Sequence, residues 1–306
     1  MKDLIILGNG MAGMTAALYA KRANLDFKIV GRDEFNFGQI GNAISVENYP
    51  CAAGLSGFAL ALNLYNQLEA NDVQIEEHEI VSVRRAEGTS TTKYLIKYAD
   101  GTDDEAKSVI YALGAAPRKL DCEIEQGIPI HYCALCDGPL YKDKTVAIIG
   151  GGDVAFTQAE YLSKICKEVK IIMCDDNITA ASSTVERVKK IKNVRISFHC
   201  PVIKICDKNS GQDEPYWILC KGVRGPIFAD GIFVAIGMKP NIAPLDIFLY
   251  CWDKNGYIMT DSECRTKHKG LFAAGDIRQK QVRQAITAAA DGAIAIQSAI
   301  SYLREA

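Results

Sequence analysis

"LIILGNGMAGMTAALYAKR", residues 4–22, carries four apolar residues into a glycine turn and then into an alanine-rich stretch with helical periodicity. The apolar run predicts a buried strand and the periodic stretch a helix, so the segment is strand, loop and helix. Gly8, Gly10 and Gly13 match G-x-G-x-x-G. In that motif the first glycine allows the tight turn, the second lets a pyrophosphate approach the backbone, and the third permits close packing of helix on strand. Met11 and Ala12 open the helix, whose first-turn amides and partial positive charge suit phosphates. "FKIVG" (27–31) supplies a second strand, and Asp33 follows Gly13 by twenty positions, where a carboxylate holds a ribose hydroxyl. "KYLIKYADG" (93–101) predicts an antiparallel strand, and "SVIYALGAAPR" (108–118) a closing strand that stops at Gly-Ala-Ala-Pro.

After that stop the pattern restarts. "TVAIIGGGDVAFTQAEYLSK" (145–164) is again strand, glycine turn and helix; "EVKIIMCDD" (168–176) is a strand followed by acids; "GIFVAIGMKPN" (231–241) again ends in Gly-x-x-Pro. Gly150, Gly152 and Ala155 fit the same glycine template, and Asp175 lies twenty residues after Ala155. Carboxylates at that place suit the free ribose of NADH and repel the extra phosphate of NADPH, which asks for arginine. Asp153 stands where phosphates would approach and opposes them unless it turns outward. Past Pro240, "GYIMTD" (256–261), "GLFAAGDI" (270–277) and the helical "RQAITAAADGAIAIQSAISYL" (283–303) complete the first unit and begin no third. The predicted fold class is α/β: two Rossmann-like, three-layer nucleotide-binding domains, the second inserted into the first. The crossings fall near residues 114–118 and 241–247, and two short crossings make a hinge.

With 306 residues, 48% hydrophobic content and a formal charge of −2, the chain is long enough for two cored domains. Near-neutral charge gives no general attraction to nucleic acid or to anionic membrane, and no apolar run approaches the roughly 20 residues that span a bilayer. The N-terminus enters a glycine turn after four apolar residues instead of continuing as a signal-peptide core. A cytoplasmic location is expected, and with it mostly reduced thiols among the eleven cysteines.

"HYCALCDG" (131–138) sets a Cys-x-x-C pair between the two glycine units. His131, Cys133 and Cys136 could give three zinc ligands, but no second Cys-x-x-C and no His-x-x-x-His completes a tetrahedral site. A redox reading has a direct basis. Two intervening residues let the sulfurs meet across one turn, a helix start favours the thiolate that attacks disulfides, and Asp137 follows the second thiol, placed to move a proton.

Taken together, "GNGMAG", "GQI", "VENYP", "CALCDG", "GGGDVA", "FVAIGMKPN", "LFAAGDI" and "RQAITAAADG" make the chain similar, from end to end, to the low-molecular-weight, bacterial-type thioredoxin reductases. The resemblance implies an FAD-binding domain of residues 1–116 and 245–306 and an inserted, pyridine-nucleotide-like domain of residues 117–244 that carries the dithiol. It implies a homodimer, and an inserted domain that rotates to present the dithiol alternately to the flavin and to a thioredoxin-like partner. Carried onto this chain, it makes Cys136 the thiol nearest the flavin, Cys133 the thiol that attacks the partner, and Asp137 the acid and base. It assigns Gly38, Gln39, Asn48, Asp276, Arg283, Gln284 and Ala285 to FAD, with Asp276 at the ribitol or phosphate and the backbone of Gln284 and Ala285 at the flavin ring.

One departure bears on the electron donor. NADPH-dependent members carry H-R-R-x-x-x-R after the second strand of the inserted domain; here the stretch is "MCDDNIT" (173–179), without an arginine. Each lost charge-assisted phosphate contact is worth about 1.5–3 kcal/mol, so the donor expected is NADH or a reduced ferredoxin, with a second flavin in the inserted domain as another occupant. "ERVKKIKNVR" (186–195) offers a basic run to an acidic carrier or is a solvated helix face. Phe37 stands where the family has glycine, and "GRDEFNFGQI" (31–40) is longer than usual. The same fold and dithiol also suit a flavin-binding redox sensor, or an oxidase that passes electrons from dithiols to oxygen.

Overall fold

A computed structural model of the chain describes residues 1–43, 46, 48–52, 54–86, 93–207, 216–242 and 251–305. The chain divides into two compact units: Met1–Ala116 with Lys239–Ala306, and the intervening Pro117–Met238. In chain order the first unit contains β1 (Lys2–Leu7), α1 (Met11–Arg22), β2 (Phe27–Gly31), α2 (Gly57–Glu69), β3 (Ile75–Glu77), β4 (Ile80–Arg85), β5 (Tyr94–Tyr98), β6 (Asp103–Tyr111) and β7 (Ala115–Pro117). The inserted unit follows with β8 (Glu123–Ile124), β9 (Ile130–His131), α3 (Ala134–Asp137), β10 (Thr145–Ile149), α4 (Asp153–Leu162), β11 (Glu168–Ile172) and α5 (Ser182–Lys189). It continues through β12 (Val194–Ser197), β13 (Val202–Asp207), β14 (Tyr216–Cys220), β15 (Ile227–Ala229), β16 (Gly231–Val234) and β17 (Met238–Pro240). The return to the first unit adds β18 (Leu271–Ala273) and α6 (Ala285–Glu305).

In the first unit β3, β2, β1 and β6 lie side by side in parallel, and β18 joins the far edge of β6 along Val109–Tyr111. The first half of that edge pairs instead with β5, antiparallel, and β5 with β4. Leu4 to Leu7 are wholly buried because β1 is covered on both faces, as a central parallel strand must be. Leu4 and Ile6 pack with Met14, Ala61 and Ile296 of the helical layer, whereas Ile5 and Leu7 pack with Val83, Tyr94 and Ile96. Each such side chain contributes about 1.5–3 kcal/mol of burial. The result is the predicted three-layer α/β arrangement.

The inserted unit repeats the plan. Parallel strands run β12-β11-β10-β16-β9, beside a four-stranded sheet ordered β15-β14-β13-β8. Alternation along β10 sends Val146 and Ile148 to Phe156 and Leu162 of the helical side, and Ala147 and Ile149 to Ile205 and Ile218 of the second sheet.

Two expectations change. A boundary at 244/245 lies outside the described residues; the described chain leaves the inserted unit between Met238 and Lys239. The reason is that β17 pairs with β7, after which Asn241 N donates to Gly114 O at 3.0 Å and Tyr111 Oη donates to Asn241 O at 3.1 Å, fastening this stretch to the first unit. Secondly, α6 is long and apolar enough to cross a membrane by length and composition. Its packing explains the composition: Gly292 lies against the Ala12 backbone, where a Cβ would collide, and the helix buries Ala295, Ile296 and Ala299.

Candidate functional site

The glycine loop of the first unit separates two demands. Gly8 has φ +108° and a Cβ there would strike the Ala112 carbonyl; a Cβ on Gly13 would fall on the Gly8 carbonyl oxygen. Packing alone therefore fixes both. Gly10 differs, since its nearest neighbour would be Phe37 O at 3.7 Å from a Cβ. It stands at the N-cap of α1 with no side chain bonded across the helix start, which leaves that face open to a phosphate. Asn9 Nδ2 donates to the carbonyls of Asp33 (2.8 Å) and Glu34 (3.2 Å), drawing Asp33 toward the loop, and one carboxylate oxygen of Asp33 accepts from Phe35 N at 2.9 Å.

The other candidates of this unit converge on the same end of the sheet. Gly275 has φ +80°, and its Cβ position is 3.0 Å from Ala12 Cβ, so the Gly275–Asp276 turn touches the start of α1. Asp276 is largely enclosed; burial pushes its carboxyl above the usual range, against the pull of Lys280 and Arg283. Lys280 Nζ stands 3.4 Å from Asp276 Oδ1, yet that oxygen makes no well-formed hydrogen bond among the described residues. Arg283 places its guanidinium 3.9 Å over the Tyr257 ring, with Nε buried and unbonded among those residues. Asn48 Nδ2 donates to Gln284 Oε1 at 3.0 Å, and Ala285 begins α6. Gly38 and Gln39 start a single helical turn, Gly38–Asn42. Phe37 turns inward, 2% exposed, against the rings of Phe58 and Tyr65. An open helix start, an unbonded buried carboxylate oxygen and an unbonded buried guanidinium nitrogen are what a phosphate-bearing, hydroxyl-rich dinucleotide such as FAD would complete.

In the inserted unit Gly150 has φ +146° with the Ala235 carbonyl where a Cβ would go, and Gly152 caps α4 with no side-chain bond. Ala155 is fully buried against this loop. Asp153 does not oppose a phosphate. It turns to accept Ala181 N at 2.7 Å, while Thr179 N donates to Gly151 O at 3.0 Å, so the segment after β11 is tied to the loop. Asp175 is exposed and folds onto Asn177 N at 3.0 Å; Asp176 lies 3.8 Å from His199. Within the basic run, Arg187 makes a two-pronged bond to Glu160, both contacts at 3.0 Å, and Arg195 approaches Glu168 at 3.8 Å.

The cysteine pair is a disulfide. Cys133 is the N-cap of α3 and Cys136 lies in its single turn, with Cα atoms 5.3 Å apart. Cys136 N points to Cys133 Sγ at 3.3 Å and Asp137 N donates to Cys133 O at 3.0 Å, so the turn itself presents the sulfurs. The Asp137 side chain is buried, with Oδ2 3.0 Å from His131 Nδ1. His131 directs both ring nitrogens away from a metal role, the other being 2.7 Å from Tyr141 Oη.

Residues 2–292 match the model of the pyridine nucleotide-disulphide oxidoreductase family. The chain is 36% identical to the thioredoxin reductase of Mycoplasma genitalium over 96% of its own length and 93% of the relative's. It is likewise 36% identical to that of Treponema pallidum, over 98% and 97%. The chain belongs to the thioredoxin reductases. Among solved structures, the thioredoxin reductase of Streptococcus pyogenes superposes with a TM-score of 0.85 at 33% identity, covering 100% of this chain and 99% of the other. Membership makes the protein an oxidoreductase of the thioredoxin-disulfide type.

Sequence reasoning missed two features of this thioredoxin reductase. One is the Asp291 carboxylate inside α6, 7% exposed, bonded to Arg278 (2.8 Å), Lys280 (3.0 Å) and Gly275 N (3.1 Å); an acid in the middle of an apolar helix was its signal. The other is the His131–Asp137–Tyr141 chain, in which His131 had been weighed only as a zinc ligand.

Proposed function

We propose that the protein reduces the disulfide of a thioredoxin-like partner through the Cys133–Cys136 dithiol, with FAD in the first unit and an electron donor other than NADPH, acting as a cytoplasmic homodimer. The observation that carries this reading is the disulfide presented on the one-turn helix α3, followed at once in the chain by the buried carboxylate of Asp137. Residues 8–13, Asp33, Gly38, Gln39, Asn48, Asp276 and Arg283–Ala285 would hold FAD, whose bound isoalloxazine supplies two-electron exchange between donor and disulfide. Cys136 takes the inner role and Cys133 the outer one, its thiolate attacking the partner; Asp137 exchanges the proton. The inserted unit moves about its two crossings so that the dithiol serves both encounters.

For the donor, the chain favours a nucleotide without a 2′-phosphate. Asp175 and Asp176 project from the loop where arginines would be required, while Asp153 is engaged elsewhere and leaves the helix start of α4 to a pyrophosphate. NADH fits this arrangement. Reduced ferredoxin is the alternative, with Lys189, Lys190 and Lys192 as the exposed lysines of the basic run. Anaerobic titration with NADH, NADPH and reduced ferredoxin, followed by flavin absorbance, decides among them; rapid bleaching by micromolar NADPH refutes the reading. Cys133→Ser should retain a long-wavelength band from thiolate and flavin that Cys136→Ser lacks, and the reverse exchanges the two thiol roles.

A further inference from the structure

The proton side of the dithiol reaction has more machinery than Asp137. His131 closes the short strand β9 with 5% exposure, Nδ1 3.0 Å from Asp137 Oδ2 and Nε2 2.7 Å from Tyr141 Oη. The Phe233 ring of β16 lies beside it at 5.2 Å. Asp137 Oδ1 is buried with no hydrogen-bond partner among the described residues. A lone buried carboxylate costs several kcal/mol, and the fold could have answered with an apolar core here. It instead keeps an imidazole, the side chain type that exchanges protons near neutral pH.

We propose that His131 is a positioning residue for disulfide exchange: it holds the charge of Asp137 and lets the Asp137–His131 pair store the one proton that the dithiol releases and the partner takes up. The inference rests on reading Cys133 and Cys136 as the catalytic dithiol. Cys133 thiolate bonds to one partner sulfur as the partner's S–S bond breaks, expelling a thiolate. The Cys136 thiol then gives its proton to Asp137 Oδ1, and its thiolate attacks Cys133 Sγ. The Cys133–Cys136 bond forms, the mixed disulfide breaks and a second partner thiolate leaves. The stored proton passes to a partner thiolate, so the partner departs with one thiol and one thiolate and the pair returns to its starting charge. The groups facing His131 are Asp137 from α3, Tyr141 from the turn after it and the uncharged Phe233. Asp230 and Tyr216 act on Tyr141 from farther away, and burial, with their charges and that of Asp137, pushes the phenol up to about 12, so it remains a neutral partner throughout the working range.

The test uses the holoprotein reduced with dithiothreitol, desalted, and alkylated with iodoacetamide between pH 5 and 9, with Cys133 and Cys136 quantified by peptide mass spectrometry. Without the imidazole, the uncompensated charge of Asp137 disfavours the neighbouring thiolate. His131→Gln should then slow alkylation of the dithiol about tenfold at pH 7, one pK unit's worth, and less than about twofold at pH 9, where thiolate is abundant. In an Asp137→Asn background the same substitution should have no further effect. Tyr141→Phe, which keeps the imidazole but removes one partner, should shift the profile in the same direction by a smaller factor. A His131→Gln profile that superposes on wild type, or that falls equally at pH 7 and 9, overturns the proposal; if that variant does not fold, a Tyr141→Phe profile identical to wild type does so. Because the reductant is chemical, failure of flavin-to-dithiol transfer would refute the catalytic reading without altering this profile, so the two failures are distinguishable.

Discussion

Gly10 and Gly13 lie three residues apart in one loop, yet alanine should harm them in opposite ways. At Gly13 the added Cβ would coincide with the Gly8 carbonyl and sit 3.5 Å from Ile6 Cγ2. Alanine gains about 1 kcal/mol over glycine inside a helix, but the collision is with backbone, so α1 must move off β1, and overpacking of this kind costs about 1–3 kcal/mol. The net expectation is a loss of up to about 2 kcal/mol in the flavin-free protein, together with a distorted loop. At Gly10 the nearest atom to the new Cβ is 3.7 Å away and the backbone, φ −76° and ψ −176°, is open to any residue. The flavin-free protein should therefore change by less than about 1 kcal/mol, a cap-scale effect, while the methyl occupies the space through which a pyrophosphate reaches the amides. Urea unfolding of the two apoproteins gives the stability terms, and calorimetric titration with FAD gives the affinities. Gly10→Ala should retain stability and lose FAD affinity by tenfold or more, about 1.4 kcal/mol or greater. A Gly10→Ala protein that binds FAD like wild type, or a Gly13→Ala protein unchanged in both measurements, refutes the argument.

Three further expectations follow from the same geometry. Burial raises the Asp276 carboxyl, so the folded apoprotein favours its protonated form; that contribution is present below about pH 4 and lost as pH rises through the folded value. Asp276→Asn should thus raise the melting temperature of the apoprotein at pH 7 but not at pH 3.5, and weaken FAD roughly tenfold through loss of a charge-assisted contact. Asp291→Ala leaves Arg278 and Lys280 buried without their common carboxylate and should cost about 3–5 kcal/mol in denaturant unfolding; a loss under about 1 kcal/mol would mean that solvent already screens the cluster. Joint replacement of Cys174, Asp175 and Thr179 by arginine should create NADPH use, improving its KM by two orders of magnitude or more at about 1.5–3 kcal/mol per contact; an unchanged KM places the donor site elsewhere.

The parts legible in the sequence are those whose causes are local. Gly8 and Gly13 are required by backbone within the loop and its neighbouring strand, and Cys133 with Cys136 is set by one helical turn, so spacing alone shows them. For Asp153 the sequence left the direction of the side chain open, because its partner, Ala181 N, is 28 residues away and joins it only after β11 returns to the loop. His131 escaped for a different reason: Asp137 and Tyr141 are near in sequence, but only the bend through α3 and the turn after it aims all three inward. The second sheet of the inserted unit was invisible because its strands alternate weakly, Val202–Asp207 having only Ile205 fully buried. At the second crossing, expected near 241–247, the nearby Gly237–Pro240 mirrors Gly114–Pro117 in the sequence, and these two breakers carry β17 and β7, which pair with each other.

That pairing reaches beyond catalysis. Arg118 N donates to Gly237 O at 2.9 Å on one side of the ladder, and Asn241 N to Gly114 O at 3.0 Å on the other, so the loose ends of each body are stitched to one another before any linker is added. Excising residues 117–238 leaves two termini that already meet, and the excised piece closes on itself in the same manner.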